Sequence, residues 1–551
     1  MSWINATPLR AKIEPFAMFS AKVFAREATG FVRALSPFDV FILGIVGITP
    51  GVNMTLFYLY IAYLYPGANI SLAVLGAIPI ALIFGAVYWL LSISMPRTGG
   101  DYVYGSRIVH PLWGFLPNWI YTFVNVTALG FYAATIGGSF LAVFFATLGN
   151  FYNNATLLSW SSAASSVNGA LVIALIAIWV SALINVMGMR TYAKAQLIMF
   201  VIAMAGIILL LAVLGVNSNQ SFQTAFNQYA SSYGTSYQGI IGQAKSSGWA
   251  PQGFDLSQTL LALPFILLSL ATVWPVIAAG EARRPQRSML YGTVVAIAVS
   301  SVILWATAVL FYNVVGETFS KAIAYVGNCG CTAYPLPVGP YIQYLSAILA
   351  GNPAIIFFLG FSFLVWSLIL LPAFYVITTR SIFAWSFDRL IPTFMADIND
   401  RYHAPIKAIL VVAVIASASA ALALYTTVVG VAFNITLAAV SSFIFVGVAA
   451  AVFPYSKKAR AIFDQSPPIV KKRIAGVPII TILGVIEAAI FAYITYLAAT
   501  SPALSGPING MSVGLIAVMY VVGIVIYFAS KGYHKRRGLD IGLAFSVVPP
   551  E

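Results

Sequence analysis

About twelve apolar runs of about 20 residues recur along this chain, centred near residues 50, 82, 130, 178, 205, 268, 302, 366, 417, 441, 489 and 520. A helix of that length crosses the ~30 Å of a bilayer's hydrocarbon. No other feature restricts the fold as strongly. In lipid every backbone N–H and C=O must be satisfied by the protein itself, which leaves helices or closed barrels. Composition agrees, with 61% apolar and 8% charged residues, where a soluble domain carries roughly 25% charged. The expected fold is an all-α polytopic membrane protein of about 12 transmembrane helices. The first ~35 residues are polar, basic and Ala-rich without an apolar h-region, so no cleavable signal peptide is expected.

The net charge of +14 raises the question of nucleic acid, and the placement of the charges answers it. With an even number of spans and the N-terminus inside, 26 of the 28 Lys and Arg residues fall in inner segments. Only Lys245 and Lys321 fall outside. This is the positive-inside pattern. It predicts a multi-pass plasma-membrane protein with both termini cytoplasmic, anionic lipid at its inner face and no nucleic-acid partner.

Two spans carry helix-breaking residues. GIVGITPG, Gly44–Gly51, places three glycines and a proline in the first. In the sixth, LALPFILLSLATVWP places Pro264 and Pro275 on either side of Ser269, Ala271 and Thr272. In a helix interior Gly costs about 1 kcal/mol and Pro about 3 relative to Ala. Within a membrane such breaks persist only where they face protein or a wet cavity. Breaks at matching positions in two halves point to a transport site near the midplane and to a five-plus-five inverted repeat. The expected organisation is a cytoplasmic tail at 1–35, a first five-helix repeat at 36–215 and an extracellular loop at 216–256. A second repeat at 257–455, a basic cytoplasmic loop at 456–476, helices 11 and 12 at 477–530 and a cytoplasmic tail at 531–551 follow. Cys329 and Cys331 share an outer loop as CGC. They read either as incidental thiols or as a pair in an oxidising exterior; two thiols alone make a poor metal site.

The loop between the second and third runs, MPRTGGDYVYGSRIVHPLWGF, carries a denser pattern. Pro96, Arg97, Thr98, Gly99, Gly100, Tyr102, Tyr104, Arg107, Pro111, Gly114 and Phe115 resemble the corresponding loop of the amino acid–polyamine–organocation superfamily of amino acid permeases. Gly280, Glu281, Arg283, Arg284, Pro285 and Arg287 resemble that family's Glu-x-Lys-Asn-Pro-x-Arg after the sixth span. Arg380–Pro392 resembles its Arg-x-x-(Tyr/Phe)-Ala segment after the eighth. The resemblance implies a leucine-transporter-like fold with discontinuous helices 1 and 6 and the substrate between them. Family members that use a fifth-span Lys have no counterpart here, since MFVIAMAG lacks an ionisable group. Members that bind sodium use adjacent hydroxyls on the eighth span, where this chain offers Ser362 and Ser367, which are not adjacent.

A zwitterion needs two poles at mid-membrane. Helix N-termini supply N–H groups and positive dipole for a carboxylate, and free carbonyls suit an ammonium. Gly47, Ile48, Thr49, Pro50 and Gly51 are the expected carboxylate site. Ser269, Ala271 and Thr272 are the expected ammonium site, with Trp274 as an apolar lid. A Pro/Gly kink that only packs helices, and a Trp274 that only packs or anchors, are the plainer alternatives. Arg97, Glu281, Arg284 and Asp388 are gate candidates, whereas Asp39 suits a helix N-terminus. Glu487, mid-span in the eleventh run, is a candidate for ion coupling or a structural protonated acid. No catalytic residue, metal site or cofactor is expected beyond a coupling Na+ or H+.

The function expected is therefore secondary transport of amino acids, and not enzymatic catalysis. The chain has three histidines, and all lie outside the apolar runs, which disfavours a haem protein. There is no nucleotide motif and no pore-loop signal. Neither break holds an acid or a base, so a neutral amino acid is the expected substrate. An amino acid sensor on a transporter fold, or a carrier of another small amine or organocation, is the alternative. A monomer or homodimer is expected.

Overall fold

A computed structural model describes residues 30–426, 429–500 and 510–545. Readings on the basic tail residues Arg10, Lys12, Lys22 and Arg26 lie outside the described residues. α1 (Pro37–Ile48) and α2 (Pro50–Leu64) make the first crossing and α3 (Ile70–Ser94) the second. After the short α4 (Asp101–Ile108), α5 (Pro111–Thr135) continues through a π-helical turn at Ile136–Leu141 into α6 (Ala142–Phe151). α7 (Ala155–Ser165) packs on α6, and α8 (Val167–Val186) and α9 (Met189–Gly215) are the fourth and fifth crossings. α10 (Asn219–Ala230) and α11 (Tyr237–Ser246) precede a sixth crossing made of α12 (Leu256–Leu270) and α13 (Trp274–Ile277). α14 (Pro285–Leu290), α15 (Ala296–Phe311) and α16 (Glu317–Asn328) form the seventh, joined by π-helical turns. α17 (Ile342–Ala350), α18 (Pro353–Phe387), α19 (Ile406–Tyr425) and α20 (Val429–Val452) follow. α21 (Arg460–Gln465) and a two-stranded hairpin, Arg473–Ile474 with Val477–Pro478, lead to α22 (Ile479–Thr500) and α23 (Gly510–Arg536).

Eleven helices among the described residues are long and apolar enough to cross a membrane. The run near residue 441 lies in α20, whose second half continues through a 3-10 turn as a shorter apolar helix, Val440–Tyr455. The helices begin where the sequence offers caps. Ser36 and Asp39 form a reciprocal capping box on α1, and Asn69, Asn154, Ser166, Asp255 and Asn352 accept first-turn N–H groups of later helices. Each cap satisfies donors that lipid cannot.

Two segments differ from the sequence reading, and one of two open alternatives is decided. The expected loop at 216–256 is largely helical: Phe222, Phe226 and Ala230 recur every four residues along α10 and are buried, with both rings against Phe319. That apolar stripe is hidden within a polar composition. The basic segment expected as a loop from Arg380 stays helical to Phe387, with Arg380 buried. Cys329 and Cys331 are joined in a disulfide; Gly330, at φ +60°, folds the three residues back on themselves.

At the arginine-rich end three stretches are stitched together. Leu35 N–H bonds Glu281 O at 3.0 Å and Arg283 N–H bonds Leu35 O at 2.9 Å. Gly99 N–H bonds Ile277 O at 3.0 Å. Gly99 and Gly100 take φ of +99° and +47°, and a Cβ on Gly99 would lie 2.6 Å from Ala384 Cβ. Only glycine suits both the angle and the space, which explains the Gly-Gly pair in the loop motif.

Candidate substrate site between two interrupted helices

The first interruption is a single residue. Thr49 adopts a left-handed conformation, φ 45° and ψ 64°, and serves as C-cap of α1 and N-cap of α2. A β-branched residue at positive φ is strained and is retained only where its surroundings enforce it. Here Pro50 is the enforcing neighbour. It has no N–H, so the carbonyl of Val46 loses its helical donor. Thr49 N–H still reaches Ile45 O, and Asn53 N–H resumes the ladder on Thr49 O. The Asn53 side chain donates to Ile48 O. Thr49 gives α2 no side-chain cap, so the leading amides of α2 are left for another acceptor.

The second interruption is longer. Ala271 N–H closes α12 on Leu267 O, Thr272 N–H turns back to Leu270 O, and Val276 and Ile277 donate to Val273 O. The helical ladder lapses from Thr272 to Pro275. The two interruptions touch. A Cβ on Gly47 would lie 2.3 Å from Thr272 Oγ1 and 3.1 Å from Trp274 Cδ2. Thr272 is 1% exposed, and its hydroxyl has no hydrogen-bond partner among the described residues.

The wall around this junction is aromatic with a few amides and hydroxyls. The Trp274 ring lies 4.9 Å from Phe374 on α18, which stacks on Tyr132 of α5 at 5.8 Å. Tyr121 on α5 lies beside Trp274, and its backbone carbonyl accepts the Asn125 amide at 2.6 Å. Gly51 abuts Trp366, whose indole N–H donates to Ala203 O at 2.9 Å and so links α18 to α9. Of the other residues expected here, Ile48, Pro50 and Gly51 are buried at the junction. Ala271 is half-buried, and the Ser269 hydroxyl is turned to Phe265 O of its own helix at 3.0 Å. No charged side chain falls among these residues.

Charge is concentrated at the arginine-rich end. Glu281 holds Arg380 by two bonds, Arg380 Nε to Oε1 at 2.7 Å and Nη2 to Oε2 at 3.3 Å, with both groups 2% exposed or less. Asp388 pairs with Arg107 at 2.7 Å and accepts the Tyr102 hydroxyl at 2.7 Å. Phe545 lies over the Arg107 guanidinium, 5.0 Å away. Two gate candidates, Glu281 and Asp388, thus sit in buried ion pairs, with arginines that the sequence reading did not name as gates. Arg284 is exposed, and Arg97 donates to the adjacent Pro96 O at 3.1 Å. Arg107 and Arg380 were visible only as members of the loop motifs.

Glu487 on α22 is 1% exposed, and neither of its carboxyl oxygens has a partner among the described residues. Ser362 and Ser367 donate to Leu359 O and Leu364 O of their own helix. No cluster of three His, Cys, Asp or Glu residues able to hold a metal occurs among the described residues.

A sequence model described as amino acid permease matches residues 35–526, spanning both interruptions, both buried ion pairs and the long helices as far as the middle of α23. No curated protein matches the chain. The matched family is one of transporters and not of enzymes. With its multiple apolar crossings, the chain belongs to the amino acid permease family and is a multi-pass membrane transporter of amino acids.

Proposed function

We propose that the chain moves a neutral amino acid across the plasma membrane by alternating access, driven by an ion gradient or by exchange, with both termini cytoplasmic. One observation carries this reading: the two helix interruptions abut at Gly47, Thr272 and Trp274, and the junction holds a hydroxyl without a partner and no ionised side chain. Helix ends there offer amide N–H groups to a carboxylate and carbonyls to an ammonium. The aromatic wall of Trp274, Phe374 and Tyr132 suits an apolar or small side chain. A cationic substrate would call for a carboxylate in that wall and an acidic one for a cation. Thr272 and Trp274 are 1% and 5% exposed, so this is a closed state, and alternating access is the opening of each side in turn. The leucine-transporter-like inverted repeat follows from the same pair of breaks. The ion pairs Glu281–Arg380 and Asp388–Arg107 serve as the cytoplasmic gate in this reading.

The test is a thermal-shift screen of the amino acids, followed by counterflow of labelled leucine, alanine and serine in proteoliposomes. Uptake by exchange supports the proposal. Binding without flux would mark a sensor on a transporter fold, and selective uptake of lysine or glutamate would overturn the neutral assignment.

A further inference from the structure

Four carboxyl groups are buried among the described residues: Asp101, Glu281, Asp388 and Glu487. Two of them are neutralised by arginines, as described above. The other two are in no ion pair among the described residues. Asp101 opens α4 and accepts the Asn118 amide on Oδ1 at 2.8 Å, while its Oδ2 has no partner. Glu487 has no partner on either oxygen. A buried carboxylate without a cation is costly, and such a group binds a proton readily instead.

The two carboxyls differ in what they reach. Tyr88 on α3 has a buried hydroxyl without a partner, and Asp101, Glu487, Tyr121 and Tyr104 all act on it electrostatically. Beyond Tyr88, the rings of Phe84 and Phe491 lie 5.4 Å apart, and Phe443 packs on both. Asp101 also acts on Tyr121, which in turn neighbours Trp274 of the second interruption. In the other direction, Asn118 accepts the Trp385 indole at 2.8 Å. The next residue, Tyr102, donates to Asp388 of the Arg107 pair. Asp101 therefore lies between the candidate substrate site and the arginine-rich end. The titratable groups on which Asp101 acts are Tyr88 from α3 and Tyr121 from α5, while Tyr104 of its own helix and Glu487 act on Tyr88. The described side chains of α20, which also packs on α4, include no titratable group.

We propose that Asp101 is the proton-binding site that couples amino acid transport to a proton gradient, linked to the substrate site through the Tyr121 and Tyr88 hydroxyls. The inference rests on the transporter reading above. In the step proposed, one proton taken from solvent on the substrate side binds Asp101 Oδ2 and neutralises the carboxyl. The same proton leaves to the cytoplasm when the Arg107–Asp388 pair parts, so one proton crosses per cycle and no covalent bond changes. Burial pushes the Asp101 carboxyl up to about 6, opposed by the Asn118 and backbone hydrogen bonds. The group is then mostly neutral in acid and mostly charged at neutral pH, as loading and release require.

The experiment uses the full chain in proteoliposomes with a pH dye inside and a labelled mixture of leucine, alanine and serine outside. For one proton per substrate, each pH unit of gradient sustains at most about tenfold accumulation. The wild type is expected to acidify the lumen as substrate enters. Asp101→Asn is expected to lose that acidification, with accumulation falling to the level seen without a gradient, and Asp101→Glu to keep both. Glu487→Gln is expected to keep proton movement. Acidification that persists in Asp101→Asn, or that is lost in Glu487→Gln alone, overturns the proposal. Calorimetry of substrate binding to the wild type, in buffers of different ionisation enthalpy, decides the matter should Asp101→Asn fail to fold. Proton exchange that titrates at about pH 6 supports the proposal, and its absence overturns it. Counterflow without proton movement defeats this inference alone, whereas absence of counterflow defeats the transporter reading itself.

Discussion

Gly47→Ala asks whether the two helix interruptions form one packed unit. The new methyl would sit 2.3 Å from Thr272 Oγ1 and 3.1–3.2 Å from the Trp274 ring. Unstrained carbon contacts lie at about 3.5–4.0 Å, so the overlap with the hydroxyl exceeds an ångström. Neither neighbour has an easy way out: Thr272 and Trp274 are 1% and 5% exposed, and the indole packs on the Phe374 ring at 4.9 Å. Overpacking of this kind costs about 1–3 kcal/mol, or roughly 5- to 150-fold in an equilibrium constant. Thr272→Ala deletes the clashing oxygen, which has no partner to lose. A double-mutant cycle therefore isolates the contact. Gly47→Ala is expected to weaken binding of labelled amino acid by that factor in the wild type, and far less when made in the Thr272→Ala background. The coupling energy is about 1–3 kcal/mol, within the range for side chains in contact. Dissociation constants for the four proteins give the cycle directly. Strict additivity would show that the methyl meets no resistance from Thr272, and the reasoning that joins the two breaks would fail.

Asp101→Asn is expected to change how stability depends on pH. The folded carboxyl titrates at about 6, above its usual 3.8, so its contribution is fully present below pH ~4 and is lost as pH rises through about 6. The difference of about two pH units corresponds to about 3 kcal/mol. Asp101→Asn should therefore match the wild type in acid and gain thermal stability above pH ~6; a difference independent of pH would refute this. Glu281→Gln leaves Arg380 buried without its counter-charge and is expected to cost about 3–5 kcal/mol. Glu281→Leu with Arg380→Met should recover much of that in a thermal unfolding assay, and no recovery would argue against a simple buried pair. Phe545→Ala removes the ring over Arg107, a contact of about 0.5–2 kcal/mol. Initial counterflow rates are expected to rise severalfold, and an unchanged or slower rate would show that this ring does not restrain the gate.

Much of the fold was legible because the bilayer imposes a length on each crossing, and hydropathy reports that length directly. The first interruption was legible at Gly47, Pro50 and Gly51 because Pro removes a donor and Gly tolerates contact, both local properties. What the sequence could not show was pairing across the fold. Glu281 was seen beside Arg283 and Arg284, yet its partner is Arg380, 99 residues away. Asp388 was seen beside Arg389, yet Arg107 holds it. Asp101 carries no signal of its own between Gly100 and Tyr102 of the loop motif, and only packing shows its Oδ2 to be buried without a partner among the described residues. Ser269 shows the converse: a hydroxyl in the right stretch of sequence is bonded to its own helix. The helix at Asn219–Ala230 was missed because its Ser, Gln and Asn residues outnumber the three buried apolar positions that fold it.

The bonds from Leu35 to Glu281 and Arg283, and from Gly99 to Ile277, have a mechanical consequence. They fuse the arginine-rich ends of the first and sixth helices, with the loop after the second, into a single lever. Such a lever cannot bend within itself, so its pivots are Thr49 and the Thr272–Pro275 stretch, where the helical ladder is already absent. The residues proposed to hold the amino acid would then also be the hinges, and a bound substrate would stiffen the very joints whose movement releases it.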